Sequence, residues 1–135
     1  MSDWLAYLPW RTQFANVMDE RFYTLAWLDE EVRSGRARCW ADDRGAIIAT
    51  LRTYPAGAVE VHGLIAAGEL DAVKALIPLA EAWGCENGAI VASIASRAGW
   101  SRALSSDGYA VWQTELRKEL PDGVVRLENF TDLHA

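Results

Sequence analysis

A chain of 135 residues carries enough apolar sequence to bury one core without disulfides or metal, and no more than one domain. Its 51% hydrophobic and 24% charged residues exclude a disordered chain, and no apolar run reaches the roughly 18–20 residues that cross a bilayer, so no membrane partner is expected. A net charge of −6 repels phosphate backbones at long range, so no nucleic-acid partner is expected either. Cys39 and Cys85 lie far apart, with no further Cys or His at ligand spacing, which reads as two reduced thiols and no metal site. The opening Met-Ser-Asp-Trp-Leu has an acid where an export signal carries basic residues, so a cytoplasmic chain is expected. Arg33, Arg36, Arg38 and Arg44 crowd one stretch and read as a solvated rim rather than a docking patch.

Residues 1–19 form an arm in which Trp4, Tyr7 and Trp10 precede the first clear element. Aromatic residues of this kind suit cores and interfaces alike, which leaves two roles open: burial against the arm's own domain, or docking onto a partner. After Pro9 a short helix is expected over 11–18. Over 20–34, Phe22, Leu25, Ala26, Leu28 and Val32 mark the apolar face of a longer helix that Gly35 stops. Strands over 38–42 and 46–54 follow, joined by the turn Asp42-Asp43-Arg44-Gly45, and Pro55-Ala56-Gly57 turns the chain into a third strand over 59–65. Helical spacing returns over 69–83, where Pro78 is expected to kink the helix. The nearly all-apolar run over 89–95 suits a central strand buried on both faces. A helix over 97–107 then leads to an alternating strand over 109–119, and 121–135 is a tail.

The stretch 97–120 is the most telling. A helix containing Gly99-Trp100 ends at Gly108, Tyr109 follows, and an alternating strand runs on from it. Together with the order helix, helix, three antiparallel strands, helix, strand, helix, strand over 20–120, this resembles the GNAT superfamily of N-acyltransferases with its first strand missing or very short. It also resembles the small GNAT-like proteins of tailed phages and gene-transfer agents. The resemblance implies an α+β fold whose mixed, mainly antiparallel central sheet is flanked by helices.

It also implies where chemistry would sit. The superfamily holds the cofactor's pyrophosphate on a loop between its fourth strand and the next helix, with the pattern Arg/Gln-x-x-Gly-x-Gly/Ala. Glycines there let backbone N–H groups approach the phosphates, and the helix dipole adds partial positive charge. The matching stretch, Leu64-Ile65-Ala66-Ala67-Gly68-Glu69-Leu70-Asp71, has one glycine and no leading Arg or Gln. A carboxylate about 5 Å from a phosphate costs on the order of 1 kcal/mol, so Glu69 and Asp71 weigh against a diphosphate, and Ala66, Ala67 and Gly68 form a degenerate loop. Many members place a Tyr general acid four residues before the glycine that ends the helix. Here that position is Leu104, which has no proton to give. Glu60 and His62 share one face of the strand lining the family's acceptor cleft and are the candidate bases, with a solvated sheet face as the alternative explanation. Ser93, Ser96, Ser105 and Ser106 show no His–Asp partners in sequence.

On these grounds the chain is read as a catalytically degenerate GNAT-like module with no cofactor. As a structural or protein-binding component it would join further copies of itself or other virion subunits, through Trp4, Tyr7 and Trp10 in the arm and Phe130 and Leu133 in the tail. The alternative is a divergent acetyl-CoA-dependent N-acetyltransferase. It would use Glu60 or His62 as base and hold the pantetheine arm on backbone amides of the fourth strand.

Overall fold

The computed structural model describes residues 3–96 and 98–121. Its elements run in chain order as α1 (Asp3–Tyr7), a 3₁₀ turn (Leu8–Trp10), α2 (Arg11–Val17), α3 (Leu25–Arg33), β1 (Ala37–Ala41), β2 (Gly45–Thr53) and β3 (Val59–Gly68). They continue as α4 (Leu70–Glu86), β4 (Ala89–Ile94), α5 (Ala98–Leu104) and a second 3₁₀ turn (Ser105–Asp107). The sheet order is β1-β2-β3-β4. The first three strands form an antiparallel meander, and α4 carries the chain back so that β4 lies parallel to β3. This is the mixed, mainly antiparallel α+β architecture that the resemblance implies.

Alternation along the strands gives each face of the sheet its own core. Cys39, Ala46 and Ile48 pack with Tyr7, Phe14, Leu28 and Val32 from the α1–α3 layer. Ile47, Ala49 and Val61 pack with Val73, Leu76 and Ala80 of α4. The arm is part of the first core. Tyr7 is fully buried, and its hydroxyl donates to Asp29 Oδ1 at 2.6 Å. The Arg33 guanidinium lies 4.4 Å from the Trp4 ring centre, and Trp10 Nε1 donates to the Asp42 carbonyl. Of the two roles open to the arm, the structure displays burial against its own domain, with Leu5 and Leu8 left exposed. Asp3 also guards the outer edge of β1, because its Oδ1 accepts from the Cys39 N–H at 3.1 Å.

Three expectations change. The helix over 20–34 begins only at Leu25. Thr24 caps it by accepting from the Trp27 N–H, while the Asp19 carboxylate bonds the Arg21 N–H and holds the preceding residues in a turn, so Phe22 stays exposed. β4 is not central. Among the described residues it is the sheet edge, with Ile90 and Val91 exposed. Residues 109–119 form no strand, and Trp112 is 94% exposed. An alternating pattern states which faces a strand would show, but it cannot supply the neighbouring backbone that makes one. Arg117 and Glu119 instead meet the Phe22 ring and the Arg21 guanidinium.

The basic stretch is spent within the molecule as well. Arg36 pairs with Glu31, Arg38 with Asp3, and Arg44 with Glu69 and Asp71. Among the described residues, no helix is long and apolar enough to cross a membrane.

Candidate active site

β3 and β4 pair from Val59/Ala89 to Gly63/Ile94 and then part: β4 stops at Ile94 while β3 runs on to Gly68. Close approach at the last rung depends on Gly63, where a Cβ would sit only 3.2 Å from Ile94 Cγ1. At this same point β3 is bulged. Ala49 pairs with Gly63 and Ile48 with Ile65, so Leu64 has no partner on β2. The bulge inverts the alternation, and Val61 and Ala66 both face α4 although they are five residues apart. Beyond Gly63 one edge of β3 is therefore no longer paired with β4, and the backbone of Leu64 lies at the fork.

A cavity of about 380 Å³ fills the fork. Leu64 and Ala66 of β3, Ile94 of β4, Ile77 of α4, and Trp100 and Tyr109 are among its walls. The lining is mostly apolar, as a site for an extended aliphatic ligand requires. Tyr109 donates its hydroxyl to Glu81 Oε2 at 2.6 Å, and burial followed by this bond raises its pKa well above the ordinary phenol value. Leu104, at the position where the superfamily often carries its acid, is buried.

A polar cluster sits behind the fork on the α1–α3 side of the sheet. Glu60 and His62 are 7% and 6% exposed, which rules out the solvated face offered as their alternative explanation. The parallel register sets His62 opposite Ser93, and His62 Nδ1 lies 2.9 Å from Ser93 Oγ. Burial, with the Arg52 charge second, lowers the His62 pKa, while Glu60 opposes the shift, so the imidazole is neutral at neutral pH. Glu60 Oε2 is buried without a hydrogen-bond donor, its ion-pair partner Arg52 Nη1 being 3.5 Å away. The Glu60 carboxylate is thus held at this oxygen by an ion pair rather than by a hydrogen bond. Ser93 lines the cavity and touches His62, and so links the two compartments. Sequence reasoning dismissed this serine because its partner lies 31 residues away, beyond a helical crossover. The usable signal was the β3-α4-β4 unit itself, which brings 62 and 93 to one rung.

The loop after β3 is built differently. Gly68 has φ +105°, and a Cβ there would run into the Arg44 carbonyl and Gly45 Cα, so the turn over 42–45 is pressed against it. Glu69 makes no side-chain cap to α4. Its carboxylate and that of Asp71 take the two arms of Arg44, at 2.8 and 2.7 Å, and this contact holds the Asp71 pKa below the usual carboxylate range. Ala66 lines the cavity and Ala67 is buried in the α1–α3 core. Phe130 and Leu133 lie outside the described residues, as does His134. Among the described residues, no three His, Cys, Asp or Glu side chains gather as a metal site.

The architecture is shared with known enzymes. An acetyltransferase of Trypanosoma brucei superposes with a TM-score of 0.62 at 13% identity, covering 88% of this chain and 94% of that one. Glucosamine-6-phosphate N-acetyltransferase of Arabidopsis thaliana gives 0.62 at 10% identity, over 87% and 92% of the two chains. The aminoglycoside N-acetyltransferase AAC(6')-Iy, solved in complex with CoA, gives 0.61 at 15% identity, over 86% and 94%. The fold is GNAT-like. No family model and no curated protein matches the sequence.

Proposed function

We propose that this chain is an acyltransferase, moving an acyl group from a thioester held in the β3–β4 fork to an amine received beside Ser93, with His62 behind it. The observation that carries the proposal is a coincidence where β3 and β4 part. The Ser93–His62 contact, the last β3–β4 pair at Gly63 and the Leu64 bulge fall at three successive positions of β3, 62 to 64. The acetyltransferases of like fold, one of them solved with CoA, support it.

A strand edge released from its neighbour accepts an extended ligand that carries amides, much as it would accept another strand. A pantetheine arm is such a ligand, and the apolar fork fits it. The diphosphate end of coenzyme A has no comparable fit in the loop over 68–71. A bound thioester supplies an activated carbonyl, and the chain's own groups handle the proton and the amine. Neutral His62 takes the proton that the amine loses, relayed by Ser93 Oγ, as the C–N bond forms and the C–S bond breaks. The sulfur departs as thiolate. Thiols ionise near pH 8.5, so this leaving group tolerates a leucine where others place an acid.

A second reading is a non-catalytic GNAT-like module of a phage particle or other assembly. It is favoured by Leu104 and by the exposed Trp112 and Leu116 beyond α5. Thiol release from acetyl-pantetheine and acetyl-CoA in the presence of primary amines separates the two. Release that His62→Gln abolishes is expected, whereas no release from either donor would favour the module.

A further inference from the structure

We infer that the donor is recognised by its pantetheine arm alone, and that Glu69 and Asp71, held by Arg44 across the start of α4, exclude the diphosphate of a coenzyme A thioester. This rests on the thioester reading of the fork and adds the class of donor.

β3 leads out of the fork through Gly68 and Glu69 into α4, so whatever extends from a ligand in the fork toward α4 meets this loop. A phosphate cradle needs backbone N–H groups facing outward and glycines that let the phosphate approach. Here the Glu69 N–H already donates to the Arg44 carbonyl at 2.9 Å. The close approach that Gly68 permits is taken by the chain's own Arg44 and Gly45 backbone. On the α4 side, a Cβ on Gly45 would lie 3.0 Å from Ala72 Cβ and 3.2 Å from the Val73 nitrogen, so the turn also covers the first turn of the helix.

Charge points the same way. Asp42 Oδ1 accepts from the Arg44 and Gly45 N–H groups, so the turn and the helix start set the carboxylates of Asp42, Glu69 and Asp71 around the single guanidinium of Arg44. Arg44 is committed to both Glu69 and Asp71, and it could turn to a phosphate only by releasing them. The half charge of the helix dipole does not offset the surplus. A neutral pantetheine thioester meets none of this repulsion. One carrying a single phosphate, as on a carrier protein, meets part of it, and coenzyme A meets all of it.

Calorimetric titration at low salt with pantetheine, 4'-phosphopantetheine and CoA tests the inference, using the full chain and its Glu69→Gln/Asp71→Asn variant. The unchanged protein is expected to bind pantetheine at least as tightly as CoA, with phosphopantetheine between them. The double variant is expected to gain at least fivefold for CoA and nothing for pantetheine. CoA binding more than tenfold tighter than pantetheine in the unchanged protein, or a double variant that leaves CoA unaffected, overturns the inference while the thioester reading stands. Binding of none of the three overturns the reading itself.

Discussion

Gly68 joins two stretches of opposite character. Before it, the fork between β3 and β4 is apolar, open along one strand edge and backed by a neutral histidine. After it, the start of α4 is acidic, covered by the turn over 42–45 and closed by Arg44. On the proposed reading these are two halves of one donor site. A fork depends on where two strands stop pairing, which the backbone register and one bulge decide. A phosphate loop depends on a few exposed side chains and glycines, and it can be lost without disturbing a core. The contrast teaches that backbone register and surface side chains can change independently: a fork set by strand pairing persists whatever charge the adjoining loop carries.

The sharpest way to break this contrast is at the fork. His62→Gln is expected to lower acyl transfer about 100-fold or more, the ordinary contribution of a general base, in a thiol-release assay. A rate left unchanged would remove His62 from the chemistry. The joint comes next: Gly68→Ala combines a positive φ with a collision against backbone that has nowhere to move, and should cost about 3 kcal/mol in urea unfolding. Away from both halves, Tyr7→Phe removes a buried donor from a carboxylate and should cost about 1.5 kcal/mol.

Smaller effects follow from acid. Burial keeps the His62 pKa below its ordinary 6.5, so on acidification the unfolded chain takes this proton first. Its contribution to stability is full above pH 6.5 and is lost as the pH falls through the window below, a loss that His62→Gln should remove from the unfolding profile. Asp29 behaves in the usual carboxylate sense. Arg11, then Tyr7, hold it below 3.8, and that contribution persists above 3.8 and disappears beneath it. The smallest effect is at the loop: Arg44→Ala opens two exposed ion pairs and should leave the thermal midpoint unchanged, as salt bridges at the surface contribute little.

Much of this architecture is legible in the sequence wherever the evidence is local. Alternation marks β2 and β3 and helical spacing marks α4 to within a few residues, because each pattern reports one face meeting one core. The acidic character of the loop is legible too, since Glu69 and Asp71 carry their charge wherever the chain goes. What escapes is whatever needs a partner distant in sequence. Residues 109–119 alternate as a strand does, but pairing belongs to two backbones. The run over 89–95 is apolar enough for a sheet centre yet lies at an edge. The Ser93–His62 contact and the Leu64 bulge exist only as register, which no single segment encodes.

The central claim, that the β3–β4 fork receives the pantetheine arm of a thioester, is tested most directly by backbone amide NMR of the labelled protein titrated with acetyl-pantetheine. The account predicts the largest shifts at Gly63–Ala67 of β3 and Ile94–Ser96 beyond β4, with the amides of the 42–45 turn and the start of α4 little changed. Shifts confined to other surfaces, or none at millimolar ligand, would contradict it.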